Sequence, residues 1–268
     1  VTDLASVTES QLERWRLHRD GEPIHGSGSI VLPVRTPDGA PAVLKIGPPD
    51  AESEHVHLAL RRWAGDGAVR LLSADPPRSA VLLERLGTPD LSTLRDVEAC
   101  EVVAGLYRRL HVPAIPQLRT LTSYLEQWIA DFETLPRNAA LPHRLVEQAL
   151  ALSRDLATDP ASTGRLVHAN LHSGNVLASD REPWLAIAPR PVNGDPHFEV
   201  APMLWHRWDE LRGQIRSGVQ RRFYALIDAA QFDEDRARAW VVVRVVRQAI
   251  RDPARLTTYV ALAKAVQN

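Results

Sequence analysis

The sequence predicts a two-part α+β fold, with a small β-rich N-terminal lobe over residues 1–86 and a larger, mostly helical C-terminal lobe over residues 87–268. Three observations predict it. Short apolar runs bounded by turn residues dominate the first part. Apolar residues at three- and four-residue spacing dominate the second. Between them, Gly87-Thr88-Pro89-Asp90 interrupts both patterns and marks the boundary.

The first lobe opens with two strands, 28–36 and 41–47, joined by Pro37-Asp38-Gly39. Proline presets φ and glycine accepts positive φ, so this segment is a hairpin turn. Lys45 falls on the second strand. Residues 50–64 read as a helix, with Asp50 as N-cap and Leu58, Leu60 and Trp63 on its buried side. Val69–Ser73 and Ala80–Leu86 read as two further strands around the turn Asp75-Pro76-Pro77. In the second lobe, helices are expected at about 92–112, 121–135 and 143–157. A loop-and-strand segment follows at 165–190, then a helical tail over 199–212, 214–230, 233–250 and 253–266.

The composition limits the function classes. A net charge of -1 and a pI near 6.9 give no general electrostatic case for nucleic acid or anionic membrane. No apolar run approaches the roughly 18–20 residues of a spanning helix. No basic region precedes an apolar core at the N-terminus, so no signal peptide is read and a cytoplasmic location is expected. The single cysteine, Cys100, excludes an intramolecular disulfide and sits in an amphipathic helical pattern. Of the 32 Lys and Arg residues, only Lys45 and Lys264 are Lys. Where Arg has displaced Lys on surfaces, a Lys retained on an apolar strand marks a position that Arg does not fill.

The most informative segments are Leu166-Val-His-Ala-Asn-Leu-His-Ser-Gly-Asn-Val-Leu and Glu182-Pro-Trp-Leu-Ala-Ile-Ala-Pro-Arg. The first has the frame of a kinase catalytic loop, and the second that of a strand end supplying a metal-binding carboxylate. With Ala42-Val-Leu-Lys-Ile, Trp63-Ala-Gly-Asp-Gly-Ala-Val-Arg-Leu-Leu, Leu82-Leu-Glu-Arg-Leu, Gly194-Asp-Pro-His-Phe-Glu-Val-Ala-Pro and Arg207-Trp-Asp-Glu-Leu, they carry a resemblance over nearly the whole chain. The chain resembles the aminoglycoside phosphotransferase superfamily, and within it the streptomycin/hydroxyurea phosphotransferase branch. The resemblance implies a protein-kinase-like bilobal fold and ATP-dependent phosphorylation of a hydroxyl on a small polar compound. It places Lys45 at the phosphate-binding Lys and Asn175 at the metal-binding Asn. It puts His168 in the role of buttressing the loop, and the helix carrying Trp205, Trp208 and Asp209 along the acceptor pocket.

Two positions depart from the pattern, and a third does so if the helix register holds. Asn170 stands where the resemblance calls for the proton-accepting Asp. An amide orients a hydroxyl but takes no proton at neutral pH, and general-base terms are typically about 10²–10⁴-fold. Ala188 stands where the second metal-binding Asp belongs, and a methyl cannot ligate magnesium. Val56 falls near the Lys-pairing Glu, with Glu52 and Glu54 close by. The turn His25-Gly26-Ser27-Gly28-Ser29 keeps two glycines of a phosphate-covering loop.

These departures lead to the expectation of a degenerate, repurposed fold that does not transfer phosphate from Mg-ATP. It would bind a polar or anionic small molecule in a net positive cleft and transform it by a metal-free acid/base step such as cyclisation, dehydration or isomerisation. On this reading no cofactor and no metal site are expected. His168, Asn170 and His172 are the candidate catalytic residues, and Lys45, Asn175, Arg190, Trp205, Trp208 and Asp209 the candidate ligand-binding ones. The alternative is a slow ATP-dependent phosphotransferase acting on a hydroxyl of an antibiotic-like small molecule, with a metal site rearranged through Glu199 or Asp195. A regulatory pseudokinase is the second alternative. Asp195 is otherwise expected to cap the helix that follows it, and Glu199 to be structural.

Overall fold

The computed structural model describes residues 4–26, 28–47, 54–136 and 138–267. Asp50, Glu52 and Ser27, on which parts of the sequence reading fall, lie outside the described residues. In chain order the elements are α1 (Leu4–Trp15), β1 (His18–Arg19), β2 (Ile24–Gly26), β3 (Ser29–Arg35), β4 (Pro41–Ile46), α2 (Val56–Trp63), β5 (Leu71–Asp75) and β6 (Ala80–Glu84). There follow α3 (Asp96–Leu110), α4 (Leu121–Glu133), α5 (His143–Thr158), β7 (Arg165–Val167), β8 (Val176–Ala178), β9 (Trp184–Ala186) and β10 (Val192–Gly194). The chain continues through α6 (Val200–Trp205), α7 (Ile215–Ala230), α8 (Glu234–Arg251) and α9 (Leu256–Gln267).

Two compact units result. The first comprises Val1–Thr88 with Leu177–Pro191, the second Pro89–Val176 with Val192–Asn268. The sequence-based division kept 165–190 together in the helical part, whereas the units divide that segment after Val176.

In the first unit, β1, β3, β4, β6 and β5 form an antiparallel sheet in that order, with β2 added on β3. Along β4, Ala42, Leu44 and Ile46 alternate into a core with Leu32, Val34, Ala80 and Leu82. Period-two alternation sends Lys45 to the other face, opposite Val31 and Val81. The hairpin turn forms as its residues require: Gly39 has φ 84° and its N–H bonds to the Thr36 carbonyl at 2.9 Å. Helix α1 packs Leu12 against this core, an element the sequence reading passed over.

The segment 177–191 belongs to the first unit because Arg181 fastens it there. Its guanidinium bonds to Glu84 (2.6 Å), to the Gly65 carbonyl (2.8 Å) and to the Ala68 carbonyl (2.9 Å). The backbone adds Gly87 N–H to the Ala178 carbonyl and Val69 N–H to the Ala186 carbonyl, at 2.8 and 2.9 Å.

The second unit packs α3 on α7, α4 on α5, and α8 on α9. Its short sheet pairs β7 with β10 antiparallel, Val167 opposite Val192 and Arg165 opposite Gly194. A Cβ at Gly194 would lie 2.6 Å from Leu121 and 2.7 Å from Val167, so only glycine lets α4 approach this ribbon. The expected helix over 199–212 is broken. Helix α6 stops at Trp205, Arg207 takes φ 52°, and Trp208–Leu211 form a separate 3₁₀ turn. Trp205, Trp208 and Asp209 therefore do not share one helical face. Among the described residues, no helix is long and apolar enough to cross a membrane.

Candidate active site

Strand β7 delivers the loop that follows it, and the loop is held by groups from the turn 196–199 and from α8. His168 is fully buried, and its Nδ1 accepts the Asn170 N–H at 3.3 Å. Beneath it, Oε1 of the fully buried Glu199 accepts the backbone N–H of His168 and that of Ala169, the latter at 3.1 Å. Arg244 on α8 donates to the Ala169 carbonyl at 3.0 Å and to the Phe198 carbonyl at 2.7 Å. Its guanidinium lies 3.9 Å over the Phe198 ring. These contacts hold Ala169 at φ 61°, a left-handed conformation that L-residues other than Gly, Asn and Asp rarely adopt.

The far end of the loop closes on itself. Asn175 Nδ2 donates to the Asn170 carbonyl at 2.8 Å and lies 3.0 Å from His172 Nε2. His172 Nδ1 accepts from Gly174 N–H at 3.2 Å, and its ring stacks on His206 at 4.1 Å between centroids. The structure thus brings His168, Asn170, His172 and Asn175 together in one loop.

Below the loop, Glu199 has an unusual setting. Among the described residues its Oε2 has no hydrogen-bond partner, and His111 Nε2, also without one there, lies 3.7 Å from Oε1. Tyr107 donates its hydroxyl to the Glu199 carbonyl at 3.0 Å and stacks on His111. Burial alone would raise the Glu199 pKa. His111, the electrostatic influence of the nearby His168 ring and the Ala169 N–H outweigh it and hold the carboxyl below its usual range.

Asp195 is equally committed. One carboxylate oxygen accepts His197 N–H at 3.0 Å and meets His197 Nδ1 at 2.7 Å. The other accepts Trp240 Nε1–H at 2.6 Å and an Arg236 N–H. It caps the turn at 196–199, as the sequence suggested, but both its oxygens are occupied by donors. Neither it nor Glu199, sealed under His168, suits the rearranged metal site that the sequence reading weighed.

After α6, the left-handed kink at Arg207 turns Trp205, His206, Trp208 and Asp209 around an open cavity of about 500 Å³, closed on another side by Arg255 of the 3₁₀ turn before α9 and by Thr258. The kink is braced from inside by Arg222 on α7, which is 2% exposed. Arg222 pairs bidentately with Asp96 at 2.9 and 3.0 Å and donates to the carbonyls of His206 (2.6 Å) and Arg207 (3.1 Å). Sequence reasoning missed Arg222 and Arg244 as site residues. Of the two, Arg244 carried a signal, as a cation inside the apolar run Val241-Val-Val-Arg-Val-Val246.

In the first unit, Lys45 is half-buried on β4, Ala188 follows β9 with φ 52°, and Arg190 is exposed two residues later. The family chemistry named by the resemblance uses magnesium. The donor set here does not match it: Asn175 retains a side-chain oxygen, but Ala188 supplies none. Among the described residues, no cluster of three His, Cys, Asp or Glu side chains could hold a metal ion.

Comparison with known proteins settles the family. The sequence model described as aminoglycoside/hydroxyurea antibiotic resistance kinase matches residues 14–254. Streptomycin 6-kinase of Streptomyces griseus is 38% identical over 98% of this chain and 91% of its own length. Hydroxyurea phosphotransferase of Kitasatospora aureofaciens is 43% identical over 89% of this chain and 70% of its own. Among solved structures, the aminoglycoside phosphotransferase APH(4)-Ia superposes with a TM-score of 0.67 at 18% identity, covering 98% of each chain, which shows the fold. These findings overturn the expectation of a cleft turned to chemistry other than phosphoryl transfer. That expectation rested on Asn170 and Ala188, with Val56 as a third departure, whereas relatives similar over most of the chain are named for phosphotransfer. By the match across 14–254 and the relatives on either side of the streptomycin/hydroxyurea branch, the chain belongs to the aminoglycoside/hydroxyurea antibiotic resistance kinase family.

Proposed function

We propose that this protein is an ATP-dependent phosphotransferase that acts, slowly, on a hydroxyl of an antibiotic-like small molecule. The observation that carries this reading is the loop 168–175. Its frame is kept and held from beneath by Glu199 and Arg244, as a loop must be if it is to orient a reacting hydroxyl. The relatives named streptomycin 6-kinase and hydroxyurea phosphotransferase support the substrate class.

Each candidate residue takes a role in this reading. Lys45 holds donor phosphates, and Arg190 adds positive charge. Asn170 orients the acceptor hydroxyl without taking its proton, which is why the reaction is slow. Asn175 fixes Asn170 through its carbonyl. His168 buttresses the loop, and His172 sits between Asn175 and the cavity wall. Trp205, Trp208 and Asp209 border the cavity and receive the acceptor, with apolar faces against its carbon skeleton and a carboxylate for its cationic groups.

The test is direct. Purified protein is incubated with Mg-ATP and either streptomycin or hydroxyurea, with ADP release and the mass of the acceptor followed together. Acceptor-dependent ADP release with a phosphorylated product is expected. Nucleotide turnover that ignores every acceptor, or none at all at high enzyme concentration, overturns the reading.

A further inference from the structure

We propose that His206 is a positioning residue for the loop 168–175: its ring, stacked on His172, holds His172 against Asn175 and so fixes the amide contact that carries Asn170. The inference rests on the reading that Asn170 meets the acceptor hydroxyl.

The path is continuous within the second unit. It starts in the core, where the buried Arg222–Asp96 pair grips the His206 carbonyl at 2.6 Å. His206 is fixed again by its N–H, which bonds to the Pro202 carbonyl at 3.1 Å. With its backbone held at both ends, the imidazole lies against His172 at 4.1 Å and 22° between planes. Gly174 closes the edge of the pair: a Cβ there would be 3.4 Å from His172 Cε1 and 3.5 Å from His206 Cε1. The His172 ring in turn reaches Asn175 Nδ2 at 3.0 Å, and that nitrogen donates to the Asn170 carbonyl at 2.8 Å.

The chemistry of the rings shows why the stack matters. His206 Nδ1 is buried and, among the described residues, has no hydrogen-bond partner, so that atom does not fix the ring. His172 faces N–H donors at both nitrogens, Gly174 at Nδ1 and Asn175 at Nε2. A neutral imidazole has one lone pair for these two donors. The ring of His206 packs on the face of His172 and adds a constraint that these two edge contacts do not supply. Because His206 also borders the cavity, the residue that touches the acceptor's wall is the one that sets the loop.

The experiment uses the full chain with ¹⁵N-labelled histidine and asparagine, in wild type and in His206→Ala, His206→Gln and His206→Phe. NMR reads the His172 ring nitrogens and the exchange of the Asn175 side-chain amide. In the two variants without a ring, the His172 signals are expected to shift and the Asn175 amide to exchange about 10-fold faster. His206→Phe, which restores a stacking face, is expected to return both to wild-type values. The kinetic arm expects kcat to fall about 10–100-fold in His206→Ala with the KM for ATP unchanged, and to recover in His206→Phe. Unchanged His172 and Asn175 signals in a folded His206→Ala or His206→Gln protein would overturn the inference, as would failure of His206→Phe to rescue. The NMR arm needs no turnover. A wild-type protein that transfers no phosphate therefore defeats the proposed function without touching the decision on His206.

Discussion

Glu199 and His168 are joined through a single oxygen: Oε1 of Glu199 accepts the backbone N–H of His168 and, at 3.1 Å, that of Ala169. Both residues of this pair, Glu199 and His168, are fully buried, so the loop hangs on a carboxylate that water does not reach. Glu199→Ala leaves these two N–H groups without partners, at about 1–3 kcal/mol each. A loss of about 2–6 kcal/mol in urea unfolding is expected, and a variant within about 1 kcal/mol of wild type by the same rule would deny Glu199 this role. The sign of the pH dependence follows from the depressed carboxyl. Its stabilisation is fully present above the unfolded value near 4.5 and is lost as pH falls through the lower folded value. Glu199→Gln should therefore flatten the acid limb of stability below about pH 4.5.

Ala169 sits at φ 61°, where a Cβ costs roughly 1–2 kcal/mol. Glycine removes that cost but adds about 0.4–1 kcal/mol of unfolded-state entropy. The first term is the larger, so Ala169→Gly should raise stability by about 0.5–1 kcal/mol, seen as a higher Tm in a calorimetric scan. Ala169→Val, β-branched at the same φ, should lower it by more than that.

Asn170→Asp tests how much of the slowness is proton transfer. The backbone contacts of residue 170, its N–H to His168 Nδ1 and its carbonyl from Asn175, do not involve the substituted atoms. The loop should therefore keep its shape. A general base of this kind contributes about 10²–10⁴-fold, so kcat for acceptor-dependent ADP release should rise by at least the lower figure. An unchanged kcat in a folded variant would place the limiting step elsewhere.

How far the sequence could be read follows physical lines. Periodicity found β3, β4 and the helices α3, α4, α5, α7, α8 and α9, because each buries one face on its own. Residues 177–190, which the sequence division places in the helical part, group with the first unit, because they are tied there over long sequence distances, by Arg181 to Glu84 97 residues away and by backbone bonds to Val69 and Gly87. The helix over 199–212 was drawn too long, because its break depends on Arg207 being held at φ 52° by Arg222 and Asp96. Asn170 and Ala188 are the departures that the sequence shows, but the inference from them to a non-phosphoryl chemistry fails. Each removes one contribution to phosphoryl transfer, and such local losses weigh less on function than similarity over nearly the whole chain.

Arg222 explains that kink and makes it testable. Its guanidinium gives two parallel bonds to Asp96 and one each to the carbonyls of His206 and Arg207. Arg222→Met keeps the length of the side chain but takes the bidentate partner from the half-buried Asp96, leaving it Arg207 at 3.8 Å, and strips a donor from each of two carbonyls. A loss of about 3–5 kcal/mol is expected in denaturant unfolding. Arg222→Lys keeps the charge without the fork and should fall between the two. If Arg222→Lys equals wild type, the planar fork is not what fixes the turn.

His206 links stability to pH at the other end of the range. Burial lowers its pKa from the ordinary 6.5; Asp90 opposes the shift, while Arg207, Arg222 and Arg255 reinforce it. The ring is therefore neutral in the folded protein at pH values where it is protonated in the unfolded chain. A neutral His206 leaves stability untouched above about pH 6.5, and stability then falls with pH until the folded value is reached. His206→Phe cannot take up the proton and should remove this decline, so that the difference in unfolding free energy between variant and wild type grows as pH falls below 6.5. Parallel stability curves for the two proteins between about pH 5 and 8, the range in which an ordinary histidine titrates, would show that His206 titrates alike folded and unfolded. In that case the arginines and the burial around it would leave its ring no more neutral than a free one.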